Sequence, residues 1–294
     1  MTRIAISGYA SLDYVVQLAG APQLGRTVLV THRAADAWPR PGGSPTYIGA
    51  AIRRAGSADI ALITWIGADL AGSDYIRHIA ALGLSSDGVA RSLPGPTPVC
   101  ILAYDPAGRC YCFYEAAASA GAYNAAQLAM IEAADWVCLT VQPAAASRAA
   151  LERISERQYL IWAVKGDPNA FPDDLRRDLA ARADLVIHSH GERGFVAPFL
   201  AAAPGRADRL VVETHGAAGA TLTMSGRTIR APIEAEKRVA ARDPTGAGDT
   251  FLGGLLAALM TKPNDPLAAV RAGETAARDM LTSRNERAAY GGEG

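Results

Sequence analysis

The amino-acid sequence predicts an α/β protein: a largely parallel sheet between helices, with a small second sheet beside it. Three observations predict it. Six short apolar runs, each ended by a turn, recur along the 294-residue chain. Between them lie segments whose apolar residues fall at helical spacing. Two further stretches alternate apolar and polar residues with no helix between their strands.

The apolar runs are "RIAISG", "IALITWIG", "WVCLTV", "YLIWAV", "DLVIHS" and "RLVVETHG", each read as a buried strand. The helical segments are "SPTYIGAAIRRAG", "GSDYIRHIAALG", "AAQLAMIEAA", "SRAALERISER" and "PDDLRRDLAARA". Strands alternating with helices imply a mostly parallel sheet. The exceptions are "TVLVTHRA" (27–34) and "PVCILAYDPAGRCYCFYEA" (98–116), the second with the hairpin turn "DPAG" in its middle. They are expected to form a small sheet that projects from the body, covers a ligand and excludes water. The tail "YGGEG" is expected to be disordered.

At 50% hydrophobic residues, the chain can bury a sizeable core as one large or two small domains. Lys plus Arg and Asp plus Glu both number 29, so the formal charge is zero. That balance argues against nucleic acid or a membrane surface as partner. The start, "MTRIAISGYASLDYVV", lacks the features of a secretory leader, and no apolar run approaches the roughly 20 residues that span a bilayer. A soluble, cytoplasmic protein is expected.

Four cysteines offer no Cys-x-x-Cys pair; Cys110 and Cys112 share a strand face, and Cys100 and Cys138 have no partner nearby in sequence. They read as reduced, packed thiols. "HSHGE" holds His188, His190 and Glu192, without a further ligand cluster in sequence to make a metal site of them.

The chemistry concentrates in "ARDPTGAGDTFLGGLL" (241–256). It has no Gly-Lys-Ser/Thr, and Phe251 stands where a dinucleotide fingerprint needs glycine. Gly246 and Gly248 let the backbone turn sharply and gather N–H groups. The helix that follows adds its unpaired N-terminal donors and dipole, so the loop suits a phosphoryl group. Asp249 sits in the first helical turn, where the same dipole keeps a carboxylate ionised. Beside a phosphoryl site it is placed to accept the proton of an attacking alcohol.

"DPTGAGDTF" closely resembles the Asp-x-x-Gly-Ala-Gly-Asp signature of the ribokinase-like carbohydrate kinases, the PfkB family. Other segments follow in family order over nearly the whole chain. "GGSPTYIGAAIRRAG" resembles its Gly-Gly signature and following helix, and "ITWIGADLAGSDYIRHIAALGLSSDGV" its Gly-x-Asp-x-x-Gly segment. "VVETHGAAGATL" is similar to its nucleotide-side Thr-x-Gly-x-x-Gly turn. The resemblance implies a ribokinase-like three-layer sandwich, one kinase domain over 1–294 with lid strands from about 14–41 and 97–118. It implies transfer of the γ-phosphoryl group of ATP to a substrate hydroxyl, with Mg²⁺ and room for a monovalent cation.

By the same resemblance Asp249 is the base, and Gly246, Ala247 and Gly248 form the anion hole. Thr214, Gly216 and Gly219 lie along ATP, with Ser189 beside them. Asp13, Gly42, Gly43 and Tyr47 meet the substrate, and Glu192 organises the metal. For Asp13 alone, the simpler reading is a turn residue at a strand end. Two positions depart from the family pattern. Ser189 stands where Asn is frequent ahead of Glu192, and Tyr47 where many members carry Asn. Three activities follow: a kinase for a primary hydroxyl of a small sugar, a nucleoside kinase of the same fold, or a nucleotide-binding regulator with weak catalysis. Exposed apolar edges on the lid make it the expected contact of a homodimer.

Overall fold

The computed structural model describes residues 1–34, 37–56, 58–93, 95–115, 122–203, 208–241 and 243–290. The chain begins with β1 (Arg3–Ser7), β2 (Ser11–Leu18), β3 (Val30–Arg33), β4 (Arg40–Gly42), α1 (Ser44–Ala55), β5 (Asp59–Gly67), α2 (Leu70–Ala81) and β6 (Val89–Leu93). A hairpin of β7 (Val99–Tyr104) and β8 (Cys110–Glu115) follows. The alternation then resumes with α3 (Ala125–Glu132), β9 (Trp136–Leu139), α4 (Ala144–Arg153), β10 (Tyr159–Ala163), α5 (Asp173–Arg182), β11 (Leu185–Ser189), α6 (Arg193–Ala202) and β12 (Leu210–Thr214). The chain ends with β13 (Gly219–Met224), β14 (Arg227–Pro232), α7 (Ala247–Thr261) and α8 (Pro266–Tyr290).

Among the described residues nine strands form the main sheet, in the order β14-β13-β12-β11-β10-β9-β1-β5-β6. The pairs from β12 through β6 are parallel, and β13 and β14 close one edge as an antiparallel hairpin. Side chains alternate across it. On one face Ile4, Ile6, Ile161, Leu185 and Ile187 pack with Ile48 and Ile52 of α1 and with Phe251, Leu252 and Leu255 of α7. On the other, Leu160, Trp162 and Val186 pack with Ile131, Leu175, Leu179 and Val196 from α3, α5 and α6. The result is the expected three-layer sandwich. Among the described residues, no helix is long and apolar enough to cross a membrane.

The second sheet runs β3-β2-β7-β8, with β4 paired to β2. The hairpin expected at "DPAG" is present: Asp105 Oδ1 accepts the N–H groups of Ala107 and Arg109, and Gly108 N–H returns to the Asp105 carbonyl. Of "TVLVTHRA" only Val30–Arg33 is strand; it pairs with Val16 to Leu18 of β2 with a register shift, and Leu29 and Ala34 each keep one backbone bond beside it, to Ala19 and to Val15. Residues 35–36 and 116–118 of the expected lid, and 291–294 of the expected disordered tail, lie outside the described residues. Tyr290 ends α8 instead of opening that tail.

The Gly67-x-Asp69-x-x-Gly72 segment is a clamp. Asp69 caps α2 by accepting from Gly72 N–H (2.8 Å) and also accepts from Thr97 N–H (3.0 Å) and the Thr97 hydroxyl (2.5 Å). It thereby ties α2 to the segment entering β7.

Candidate active site

The site lies at the C-terminal edge of the parallel strands, where loops of both sheets meet the N-terminus of α7. Gly246 is the N-cap residue, with φ 75°, a left-handed conformation that glycine adopts without penalty. Ala247 N–H bonds to the Pro244 carbonyl (3.0 Å), and Thr250 N–H to the Gly246 carbonyl (2.8 Å). No acceptor among the described residues takes the N–H of Gly248 or Asp249. In the expected anion hole, therefore, the Ala247 donor is engaged within the turn, and the open donors are those of Gly248 and Asp249.

The residues expected to meet the substrate lie on β2, β4 and α1. Asp13 is the third residue of β2, opposite Arg40 of β4, so it is a mid-strand residue and not a turn. Its carboxylate accepts from Ser11 Oγ (2.5 Å) and the Tyr47 hydroxyl (2.9 Å). At 3% exposure it needs those donors, because a buried carboxylate without them is costly. Gly42 makes the room: a Cβ there would lie 2.1 Å from Asp13 Oδ1. Gly43 follows as the N-cap of α1, which carries Tyr47.

Burial pushes the Asp13 carboxyl above its ordinary value. The Ser11 and Tyr47 hydrogen bonds and the Arg40 charge oppose that, while the Asp249 charge adds to it. The Asp249 charge thus reaches Asp13. Burial, then the Asp13 charge, push the Tyr47 phenol well above its usual range, so it stays protonated and donates.

Two arginines brace the loop ahead of α7. Arg40 Nη2 meets Asp243 Oδ2 at 2.8 Å, both side chains being largely buried. Arg284 of α8 donates to the carbonyls of Asp243 (3.4 Å) and Thr245 (2.5 Å). The Tyr104 and Thr245 hydroxyls, 3.0 Å apart, tie the lid to the same loop. None of Arg40, Arg284 and Tyr104 was singled out in the sequence reading. Arg40 and Asp243 are 203 positions apart, and no local pattern joins them.

On the other side of α7 a cavity of about 670 Å³ opens, within the range typical of small-ligand sites. Ser189, Thr214, Gly216, Gly219, Ala247 and Gly248 all line it. The structure thus brings together the expected nucleotide residues and two residues of the glycine loop. Its wall also includes Ile233, Val239 and Leu281, apolar surface suited to a flat base.

Ser189 and Glu192 form a capping box: Glu192 Oε2 accepts from Ser189 N–H (2.8 Å) and Ser189 Oγ (2.7 Å). The serine in place of an amide therefore aims the carboxylate. Of the "HSHGE" histidines, His188 turns its Nδ1 to the Ser189 carbonyl (2.9 Å). His190 instead meets two residues the sequence reading did not connect with it: its ligand atom and those of Glu213 and His215 lie within 4.8 Å of one another. Both Glu213 oxygens are already taken by Arg193. Burial raises the Glu213 carboxyl, but the Arg193 and His190 hydrogen bonds and the Arg193 charge bring it below its ordinary value. A metal ion there would have to displace a guanidinium.

The lid's aromatic residues divide. Tyr114 turns inward, its hydroxyl 3.4 Å from the Ala10 carbonyl and its ring 5.8 Å from that of Tyr9. Phe113 faces solvent, and Trp38 packs edge-on against Tyr14. The cysteines are free thiols, as expected, but Cys110 and Cys112 are exposed on the lid strand instead of packed, and Cys100 does find a neighbour, with its sulfur 3.5 Å from that of Cys112.

A model of the pfkB family carbohydrate kinases matches residues 9–289. No curated protein matches the chain in sequence. Many solved structures share its fold, among them the following three. Ribokinase from Cryptococcus neoformans var. grubii, in complex with ADP, has a TM-score of 0.76 at 19% identity, covering 98% of this chain and 100% of its own. Ribokinase from Arabidopsis thaliana, complexed with ribose and ATP, has a TM-score of 0.74 at 19% identity, covering 96% and 92%. The nucleoside kinase of Burkholderia thailandensis, in complex with inosine, has a TM-score of 0.74 at 19% identity, covering 96% and 90%.

Proposed function

Since the chain belongs to the pfkB family of carbohydrate kinases, we propose that it transfers the γ-phosphoryl group of ATP to a primary hydroxyl of a small sugar, with Asp249 as base. One observation carries this reading: Asp249, in the first turn of α7, follows Gly248, which lines the cavity with Thr214, Gly216 and Gly219, and its charge reaches the buried carboxylate of Asp13.

The chemistry follows from those positions. Asp13 accepts sugar hydroxyls and holds the acceptor in place. The acceptor oxygen bonds to the γ-phosphorus as the bond from phosphorus to the β–γ bridging oxygen breaks, and ADP leaves with that electron pair. The acceptor's proton passes to Asp249, which needs little basicity if the transition state is loose. The N–H groups of Gly248 and Asp249, at the positive end of the helix dipole, stabilise the transferred charge. The Tyr104–Thr245 contact lets the lid close over the loop and exclude water.

Glu192 fits a role in ordering Mg²⁺: one oxygen is fixed by Ser189 and the other is directed by it. Bound there, Mg²⁺ would neutralise charge on the β- and γ-phosphates. A monovalent cation remains part of the proposal as an activator. The same reading places this kinase in the cytoplasm, as a single domain. It also proposes a homodimer through the lid, whose outer face exposes Ile101 and Phe113. Equilibrium sedimentation of wild type and Phe113→Asp tests the dimer; an unchanged mass would reject that contact.

A nucleoside acceptor is the second reading, favoured by the Tyr9–Tyr114 pair over the acceptor side. The deciding experiment is a coupled ADP-release assay over ribose, fructose and nucleosides. Release with sugars alone supports the first reading and release with nucleosides alone the second. No release with either would leave the regulator.

A further inference from the structure

The strand order puts the end of β10, with Lys165 just past it, between the two halves of the cleft. The nucleotide cavity is lined from the ends of β11, β12 and β13. The acceptor residues come from β2 and α1, beyond β1. β10 lies between them. Its Ile161 and Ala163 face α7, while Leu160, Trp162 and Val164 face the opposite layer. The same alternation carries Lys165 to the α7 face at the C-terminal edge, level with Ser189 of β11. Val164 N–H bonds to the Ile187 carbonyl (2.9 Å), which keeps the chain aligned with β11 past the end of β10.

Lys165 is open to solvent even though it is rooted next to a central strand. An exposed lysine is ordinarily a solvated surface charge, but the charges that bear on this one are the carboxylates of Asp249 and Glu192. Gly166 beside it lies against Glu192, whose Cγ is 3.8 Å from where a Gly166 Cβ would be. The Asp249 charge, more than burial opposes it and with Glu192 adding, holds the ammonium above its ordinary pKa. Among the described residues the Lys165 ammonium has no hydrogen-bond or ion-pair partner, so it is free to meet a ligand, while the Lys165 carbonyl accepts the Asp167 N–H (2.8 Å).

We propose that Lys165 receives the terminal phosphoryl group of the nucleotide, placing it as the residue that distinguishes a triphosphate from a diphosphate. The inference rests on the kinase reading above. Its reason is charge. Asp249 and Glu192 together repel an incoming γ-phosphate, and helix N–H groups supply only a partial positive charge. A compact ammonium that both charges reach balances them, and its flexible stem can follow the phosphoryl group as it moves. The position is where a γ-phosphate must lie, since the cavity of the nucleotide ends at β11 and the acceptor begins at β1.

The test is calorimetric titration of the full-length protein with ADP and with a non-hydrolysable ATP analogue, no acceptor being present. Lys165→Met should lose about tenfold or more in affinity for the analogue, as expected for a lost hydrogen bond to a charged group. Its affinity for ADP should change less than about twofold. Lys165→Arg, which keeps the charge, should retain most of the discrimination and serves as a second variant. Equal losses for both nucleotides in Lys165→Met, or no loss for either, would overturn the assignment alone. A wild type that bound neither nucleotide would overturn the kinase reading and this assignment with it.

Discussion

The Tyr47 hydroxyl donates a 2.9 Å hydrogen bond to Oδ2 of Asp13, while the Tyr47 ring lies against the α-carbon of Gly246. One side chain thus joins the carboxylate proposed to hold the acceptor to the turn proposed to hold the phosphoryl group. Arg284 stands 5.8 Å from the ring centroid and braces it from α8. The departure from the family's frequent amide is therefore a structural link, with the phenol filling one acceptor site on Oδ2 of Asp13.

Tyr47→Phe removes that donor and keeps the ring. Leaving a buried acceptor unsatisfied costs about 1–3 kcal/mol, so the KM for the acceptor should rise roughly tenfold or more. The KM for ATP should stay near wild type. Steady-state kinetics with the best acceptor of the panel check this; equal changes in both constants would place Tyr47 outside the acceptor side. Tyr47→Ala separates the acceptors: a nucleoside that stacks on the ring loses affinity, and a sugar held by Asp13 loses less.

Asp249→Asn keeps the shape of the helix start and removes the proton acceptor. Loss of a general base lowers kcat by about 10²–10⁴-fold. ADP affinity and thermal stability should be unchanged. Single-turnover rates near wild type would show that Asp249 does not take the proton.

Gly246→Ala meets two obstacles. The backbone there is left-handed at φ 75°, and the added Cβ would lie 2.6 Å from Cδ1 of Tyr47. Strain of this kind costs about 1–3 kcal/mol. The variant should unfold at lower urea concentration and transfer phosphoryl groups poorly. Wild-type stability together with wild-type turnover would contradict the geometry.

Stability should depend on Asp243 in acid. Burial raises its carboxyl, but the charges of Arg40 and Arg284 and the hydrogen bonds from Arg40 and Thr245 outweigh burial and hold it below its ordinary value. A carboxyl depressed in the folded state contributes its full stabilisation above the unfolded pKa of about 3.9. That contribution disappears as the pH falls from there through the folded value. Urea midpoints of wild type and Asp243→Asn should therefore differ most at neutral pH and converge in acid. A gap independent of pH would remove the ionic explanation.

Excess chelator should abolish turnover, and Mg²⁺ should restore it, because the β- and γ-phosphates carry more charge than the α7 N-terminus neutralises. Glu192→Gln should raise the Mg²⁺ concentration needed for half activity. Full activity in chelator would reject the metal from the mechanism.

The layering of the fold was legible because it is periodic. Strands of period two and helices of period 3.6 expose their type within a dozen residues. β6, β13 and β14 were not read, since short or edge strands carry a weak pattern. α6 was hidden by Pro198, which usually ends a helix but lies inside this one. The glycine loop, with Asp249, was legible because its parts are contiguous and its chemistry is local.

Sequence alone, then, determined the layer architecture, the glycine turn and the acid beside it, since each depends on neighbours along the chain. Only the tertiary structure decided that Asp13 lies within a strand, that Tyr47 closes on it, and that Arg40 of β4 pairs with Asp243. It also decided that the charges of Asp249 and Glu192 both reach Lys165. These relationships join residues far apart in sequence, brought together by strand order and crossovers. The energy of such contacts depends on distance in space and on burial, which no local pattern of residues encodes.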